Sequence, residues 1–164
     1  MKQLADLMQG LARGQTLFGL FDGAQDPRIA HWIRTGDVSW GCLYRGQIPP
    51  ELIDVAPYLV KLDARSATLQ KLFEHCGAHA VFLTSTAPLA DIRQHFRRYL
   101  RVSSEDKKRT MLFRFYDARV LRLYLPTCTA KERAAFFGPV DAFFLEKAGG
   151  FDAYEAAEPP RLTT

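Results

Sequence analysis

Hydrophobic and polar positions along this chain fall into short blocks whose period switches repeatedly between that of a strand and that of a helix. Leu4, Leu7, Met8 and Leu11 recur at helical spacing and predict an amphipathic helix over 2–13, closed by Gly14. Residues 16–21 are almost entirely apolar, which predicts a strand covered on both faces, with Asp22 and Gly23 as the turn that ends it. Asp26 followed by Pro27 reads as an N-cap with proline in the first turn, opening a helix through Ile29, Trp32 and Ile33 to Gly36. Further strands are predicted over 40–44, 58–62 and 80–83. Between them fall a brief helical turn over 51–56 and a helix capped by Ser66 that carries Leu69, Leu72 and Phe73 and stops near Gly77.

The second half repeats this alternation. From Pro88 a helix is predicted in which Leu89, Ile92, Phe96, Tyr99 and Leu100 form the interior stripe. Arg93, Arg97 and Arg101 then fall in a row at i, i+4 and i+8, with Arg98 beside them. The row reads either as a solvated face whose late arginines favour the helix C-terminus or as a binding row. The polar stretch 103–109 is a hairpin-like connection into 112–116, where Phe113 and Phe115 alternate with Leu112, Arg114 and Tyr116 as in a strand. At Asp117 the period changes to that of a helix carrying Val120, Leu121, Tyr124 and Leu125, with Asp117 as N-cap and Pro126 ending the run. Thr129 or Thr127 caps a last helix ended by Gly138, and the chain then passes through Phe143, Phe144 and Leu145 into an acidic, proline-containing stretch, expected to be loose from Glu155 onward.

Strands alternating with helices of about ten residues predict a single α/β domain with a mixed, mainly parallel β-sheet flanked by helices. The connection between 102 and 116 is too short for a crossover, so that pair is expected to be antiparallel. The expected organisation is an N-terminal helix over 1–15 packed on a domain over 16–145, with 146–164 as a tail or the start of a further lobe.

Composition narrows the functional classes. An apolar fraction of 48% and a charged fraction of 24% are those of a globular chain. No apolar run approaches the roughly 20 residues needed to span a bilayer, and the N-terminus carries Asp6 and no continuous apolar core of a signal peptide, so cytoplasmic residence and no membrane contact are expected. Cys42, Cys76 and Cys128 are odd in number and widely spaced, which predicts reduced, buried thiols. A net charge of +4 permits a nucleic-acid or acidic-protein partner without demanding one, and because the imbalance is modest no nucleic acid is expected.

Searching the chain for chemistry returns little. No glycine-rich phosphate loop is present, and Asp22 and Asp26 stand where phosphate would need backbone amides. Ser85 ends an apolar strand without a nucleophile-elbow motif. His75 and His79 have zinc-binding spacing, but Gly77 between them predicts a helix end. Asp22, Asp26 and Asp117 would share a sheet edge if the two strand-to-helix junctions are neighbours, and such a trio is the basis for an alternative assignment as a small metal-dependent hydrolase. As N-caps and turn residues, with Arg28 and Arg119 placed to pair with them, they are accounted for structurally.

Seven short motifs occur in an order and spacing that resemble one family. They are Leu17-Phe18-Gly19-Leu20-Phe21-Asp22-Gly23-Ala24-Gln25-Asp26, Cys42-Leu43-Tyr44-Arg45-Gly46, Ala56-Pro57-Tyr58-Leu59-Val60-Lys61-Leu62, Phe82-Leu83-Thr84-Ser85, Arg97-Arg98-Tyr99-Leu100-Arg101-Val102, the block from Leu112 to Leu121, and Phe137-Gly138-Pro139-Val140. Together they are similar to the DUF4123 family, the adaptor chaperones of the bacterial type VI secretion system. The resemblance covers about residues 16–145. It implies a non-enzymatic protein without cofactor, catalytic residue or bound metal, which binds a toxic effector in the cytoplasm and helps load it onto the VgrG spike protein, often with PAAR-type sequences involved. Many members continue into a C-terminal lobe, whereas this chain stops soon after Pro160. Arg93, Arg97, Arg98 and Arg101, with Arg114, Tyr116 and Arg119, are the residues expected to contact effector or spike, because arginine and tyrosine are enriched at binding hot spots.

Overall fold

The structure, a computed structural model, describes residues 2–103 and 109–157. In chain order the elements are α1 (Lys2–Gln9), β1 (Thr16–Asp22), α2 (Arg28–Thr35), β2 (Ser39–Cys42), α3 (Pro50–Ile53), β3 (Pro57–Lys61), α4 (Ala67–Cys76) and β4 (Val81–Ser85). The second half adds α5 (Leu89–Phe96), β5 (Arg101–Ser103), β6 (Thr110–Leu112), α6 (Ala118–Tyr124), α7 (Ala130–Phe137), β7 (Ala142–Lys147) and β8 (Gly150–Glu155). Among the described residues no helix is long and apolar enough to cross a membrane.

Several helix starts follow the predicted caps. Asp26 Oδ1 accepts the Arg28 N–H at 2.9 Å, and Asp117 Oδ1 accepts the Arg119 N–H at 2.9 Å. Thr129 forms a reciprocal capping box with Glu132 at the start of α7. At α4 Ser66 Oγ does accept the Leu69 N–H. Asp37, about thirty residues earlier, adds a second cap from outside the segment, taking the N–H groups of Ala67 and Thr68 and the Ser66 hydroxyl.

Six strands form one sheet in the order β2-β3-β1-β4-β7-β8, and β5 and β6 pair as a separate ribbon. Every neighbouring pair is antiparallel, which corrects the mainly parallel sheet expected above. The helical connections do restore strand direction: β1 and β2 are both antiparallel to β3, hence parallel to each other, and β3 and β4 are likewise parallel because both oppose β1. In each case, however, an antiparallel strand occupies the slot between the two, so the partners are never adjacent. The short ribbon, with Val102 opposite Met111, is the antiparallel pair expected from its connection.

Both faces of the sheet are covered, as the apolar run in β1 predicts. Leu17 and Phe21 pack with Ile29 and Ile33 of α2 and Leu69 and Leu72 of α4 on one face. Phe18 and Leu20 pack with Ile92 and Phe96 of α5, Leu121 of α6 and Phe136 of α7 on the other. Phe136 is the centre of the second core, with Phe96, Tyr99, Phe113, Phe115, Tyr124 and Phe143 all within 6.2 Å of its ring centroid.

Three local expectations change. The helix from Pro88 stops at Phe96, so Arg97 is its C-cap and Arg101 belongs to β5. Strand β6 ends at Leu112, and Phe115 and Tyr116 turn inward as buried residues ahead of α6. Residues beyond 145 continue the sheet, since β7 and β8 pair from Ala142 opposite Glu155 to Lys147 opposite Gly150. Of the tail expected to be loose from Glu155, residues 158–164 lie outside the described residues, as do 104–108 of the predicted connection.

Candidate interaction surface

The end of the sheet where β1 and β2 finish and β3 begins carries most of the residues singled out in the sequence, because Asp22 stands opposite Pro57 and Cys42 opposite Tyr58. The block from Leu112 to Leu121 crosses this end. Arg114 sends its guanidinium onto Asp22, which is almost wholly buried. Asp22 also accepts the Ala24 N–H at 3.0 Å. Gln25 Nε2 stands between Asp22 and Asp117, at 3.4 and 3.5 Å, and Arg119 pairs with Asp117 at 2.6 Å. The two strand-to-helix junctions are thus neighbours. Asp26 takes no part in the group: its carboxylate caps α2 and pairs with Arg28 at 2.6 Å.

The electrostatics are those of closed ion pairs. Burial pushes the Asp117 carboxyl up, but the side-chain and backbone hydrogen bonds from Arg119 outweigh it and hold the group below its ordinary value. The hydrogen bond from Arg28 brings Asp26 down to about 2. Tyr116 is buried, and desolvation, reinforced by the facing Asp22 carboxylate, pushes its phenol up. Of the three residues expected to reach a partner here, Arg114 and Arg119 keep partly exposed side chains while Tyr116 is core.

Beside this junction lies a groove of about 1050 Å³, walled by the loop from Tyr44 through Leu52 on one side and by Arg97–Arg101 and the ribbon strand β6 on the other. Leu52, Met111 and Leu112 line it while 45%, 52% and 47% exposed, far more than aliphatic side chains of a sealed core. Arg45, Arg97, Arg98 and Arg101 supply its charged lining, beside Gln47 and Thr110, with no acidic residue among the described ones.

The four arginines expected to form one row are divided by the helix end. Arg93 Nε and Arg97 Nη2 each donate to the Cys42 carbonyl at 3.0 Å, and Arg97 Nη2 also reaches the Tyr44 carbonyl at 2.6 Å. Gly41 makes the first contact possible, since a Cβ there would stand 2.6 Å from Arg93 Cδ. These two arginines therefore tie α5 to the β2 edge. Burial lowers the pKa of Arg97, and its Nε is enclosed without a hydrogen-bond partner. Arg98 Nη2 donates to His95 Nδ1 at 3.1 Å. Arg101 is exposed in β5, with no side-chain hydrogen bond or ion pair among the described residues.

Arg45, Ile48, Leu52 and Met111 were not singled out as contact residues in the sequence. A weak signal existed: the stretch at Met111 and Leu112 puts apolar residues on both faces of a strand, more than a short ribbon can bury.

A family model described as "Domain of unknown function (DUF4123)" matches residues 17–135. The chain belongs to the DUF4123 family. Comparison with the curated proteins and with solved structures returns no match. The family match spans both the Asp22–Asp117 junction and the whole lining of the groove.

Outside this region, Ser85 and His75, two of the polar residues considered for chemistry in this DUF4123 chain, have structural partners, whereas His79 Nδ1 is enclosed without a hydrogen-bond partner among the described residues. Ser85 Oγ donates to the Pro139 carbonyl at 2.6 Å and accepts the Ala87 N–H. His75 Nδ1 lies 2.9 Å from the Lys71 carbonyl of its own helix, which ends at Cys76. Cys42 and Cys76 are buried, with desolvation pushing the Cys76 thiol up to about 12, and Cys128 is half-buried. Among the described residues no three His, Cys, Asp or Glu side chains are grouped as metal ligands.

Proposed function

We propose that this protein is a non-enzymatic adaptor that binds a type VI secretion effector in the cytoplasm and helps load it onto the VgrG spike, with or without a PAAR domain between them. Membership of the DUF4123 family carries the reading, because adaptor chaperone activity is what that resemblance implies. Two features of the molecule agree with it. The wide, partly apolar and basic groove is of a kind that suits protein contact. The carboxylates at the sheet end are engaged by arginines and a capping role, which leaves the alternative hydrolase built on Asp22, Asp26 and Asp117 without a free acid or base.

The test is co-expression of the full chain with VgrG and with the toxin encoded beside it, followed by capture on a tagged adaptor and by secretion assays in a strain lacking the gene. The expected result is a co-purifying effector and loss of that effector, but not of the spike, from the secreted fraction. An effector secreted normally without this protein removes the assignment. Calorimetric titration with Mg²⁺, Mn²⁺ and Zn²⁺ addresses the hydrolase: heat saturating at millimolar metal, abolished by Asp22→Asn, would revive it.

A further inference from the structure

We infer that the groove between the Tyr44–Leu52 loop and the β5–β6 ribbon is a docking site for an acidic segment of a partner protein that carries aliphatic side chains between its carboxylates. This deepens the adaptor reading and rests on it only for the partner's biological identity.

The lining provides two chemistries side by side. Leu52, Met111 and Leu112 offer aliphatic surface that is nearly half exposed, and Ile48 and Leu100 extend it inward. Burying such side chains against a partner's leucine or isoleucine is favourable by roughly 25 cal/mol per Å² of apolar area. Around this floor stand Arg45, Arg97, Arg98 and Arg101, and none of them has a carboxylate within ion-pair distance among the described residues. Elsewhere the contrast is plain: Arg28, Arg114, Arg119 and Arg122 each have an aspartate. Among the described residues, the groove has therefore gathered cations that no carboxylate neutralises, around apolar surface that is left about half exposed.

Arg97 adds an independent sign. Its guanidinium is partly desolvated, is anchored on the Cys42 and Tyr44 carbonyls, and keeps an enclosed Nε without a partner. The anchoring fixes one cation of the lining before any partner arrives, so less side-chain freedom is lost on binding. A carboxylate is the complementary charge, and a protein segment is favoured over nucleic acid because the exposed surface is aliphatic. Single strands are held by aromatic stacking platforms, and among the described residues of this lining Tyr44 is the one aromatic.

Selection of a random-peptide display library on the full-length protein tests the inference without assuming the partner or its conformation. The expected winners are rich in Asp and Glu with interspersed Leu, Ile or Met. A selected peptide, labelled and titrated, should lose about tenfold or more in affinity on Arg45→Glu or Arg101→Glu, and also on Leu112→Ser, and should weaken as salt rises. Arg45 and Arg101 make no side-chain hydrogen bond among the described residues, so these variants should melt with the parent, and a melting curve for each confirms it. Winners that are basic or neutral, or that bind the charge-reversed variants equally well, overturn the inference. So does groove-dependent binding of a mixed-sequence single-stranded oligonucleotide with no acidic peptide selected, which makes the site a nucleic-acid groove. Concentration-dependent dimerisation abolished by Leu112→Ser, again with no acidic peptide selected, makes it a self-association surface. If Arg101→Glu/Leu112→Ser captures effector and VgrG as the parent does, the groove fails while the adaptor assignment stands. If the parent captures neither, the adaptor assignment fails and the peptide selection alone judges the groove.

Discussion

Asp22, at the end of β1, is held by Arg114, 92 residues further along the chain, and this pair joins the central strand of the sheet to the turn that launches α6. The Asp22 side chain is buried while that of Arg114 is 43% exposed, so the two partners are not equivalent. Replacing Asp22 by Asn removes the charge and keeps most of the shape. Removing Arg114 instead leaves a buried carboxylate supported, among the described residues, by the Ala24 N–H and Gln25. Arg114→Ala should therefore cost about 1–3 kcal/mol of folding free energy, the penalty for an under-satisfied buried acceptor. Urea unfolding of Arg114→Ala, Asp22→Asn and the double variant measures it: the double variant should be more stable than Arg114→Ala alone.

Truncation at the centre of the second core should be costlier. Phe136 is fully buried, with six other aromatic rings packed around it. Phe136→Ala is expected to destabilise by about 3–5 kcal/mol. Phe136→Leu should recover much of that loss, with the denaturant midpoint as the measurement.

Gly138 closes α7 with φ of 52° and lies against the His95 ring, where an added Cβ would stand 2.3 Å from Cε1. Gly138→Ala meets both a left-handed backbone and the imidazole. It should lower stability by on the order of 1–3 kcal/mol from the backbone alone. A comparably large drop in melting temperature for Gly138→Asn is the expected pattern, because φ 52° with ψ −112° lies outside the αL well that Asn enters and its Cβ meets the same imidazole.

His95 also gives the fold a pH dependence. Its Nε2–H donates to the Phe136 carbonyl and its Nδ1 accepts from Arg98, which fixes the neutral tautomer. Desolvation lowers its pKa from the usual 6.5, with the Arg98 charge adding to the effect and the Phe136 hydrogen bond opposing it. The unfolded chain thus takes up a proton at a higher pH than the folded one. Stability contributed by neutral His95 is present above pH 6.5 and is lost as the pH falls below it, down to the folded-state value. Asp117 and Asp26, whose pKa values are depressed, lose their contribution only further into acid. Melting curves between pH 7.5 and 5.5 should fall for the parent and flatten for His95→Gln.

Asp37 should prove a remote determinant of α4. Its carboxylate holds the Ser66 hydroxyl and the N–H groups of Ala67 and Thr68, and these hydrogen bonds hold its pKa well below the usual carboxylate range. In Asp37→Ala the amides of Ala67 and Thr68 should exchange with solvent markedly faster, while those of β1 and β4 keep their protection. Hydrogen exchange resolved by residue checks this.

Most of the local architecture was legible in the chain itself. The apolar run of β1 announces burial on two faces, Asp26 and Asp117 announce helix starts by their position ahead of helical stripes, and Thr129 with Glu132 spells its own capping box. These are properties of residues within one turn or one strand of each other, which periodicity and capping chemistry report directly. The family motifs add to this because their order and spacing are also a property of the chain.

What the tertiary structure decided is adjacency. Two helical crossovers produce parallel strands just as their lengths suggest, but β3 settles between β1 and β2, and β1 between β3 and β4, so every hydrogen-bonded neighbour is antiparallel. Which strand fills a slot depends on the combined burial of both sheet faces, and no local pattern encodes it. The same holds for the arginines. A spacing of four predicted one row, yet α5 ends at Phe96, where Arg97 turns to the carbonyls of Cys42 and Tyr44, and Arg101 passes into a ribbon whose exposed Met111 and Leu112 help form the groove. The chain determined that these cations and aliphatic residues exist, and only the packing of loop, helix end and ribbon brought them to one surface.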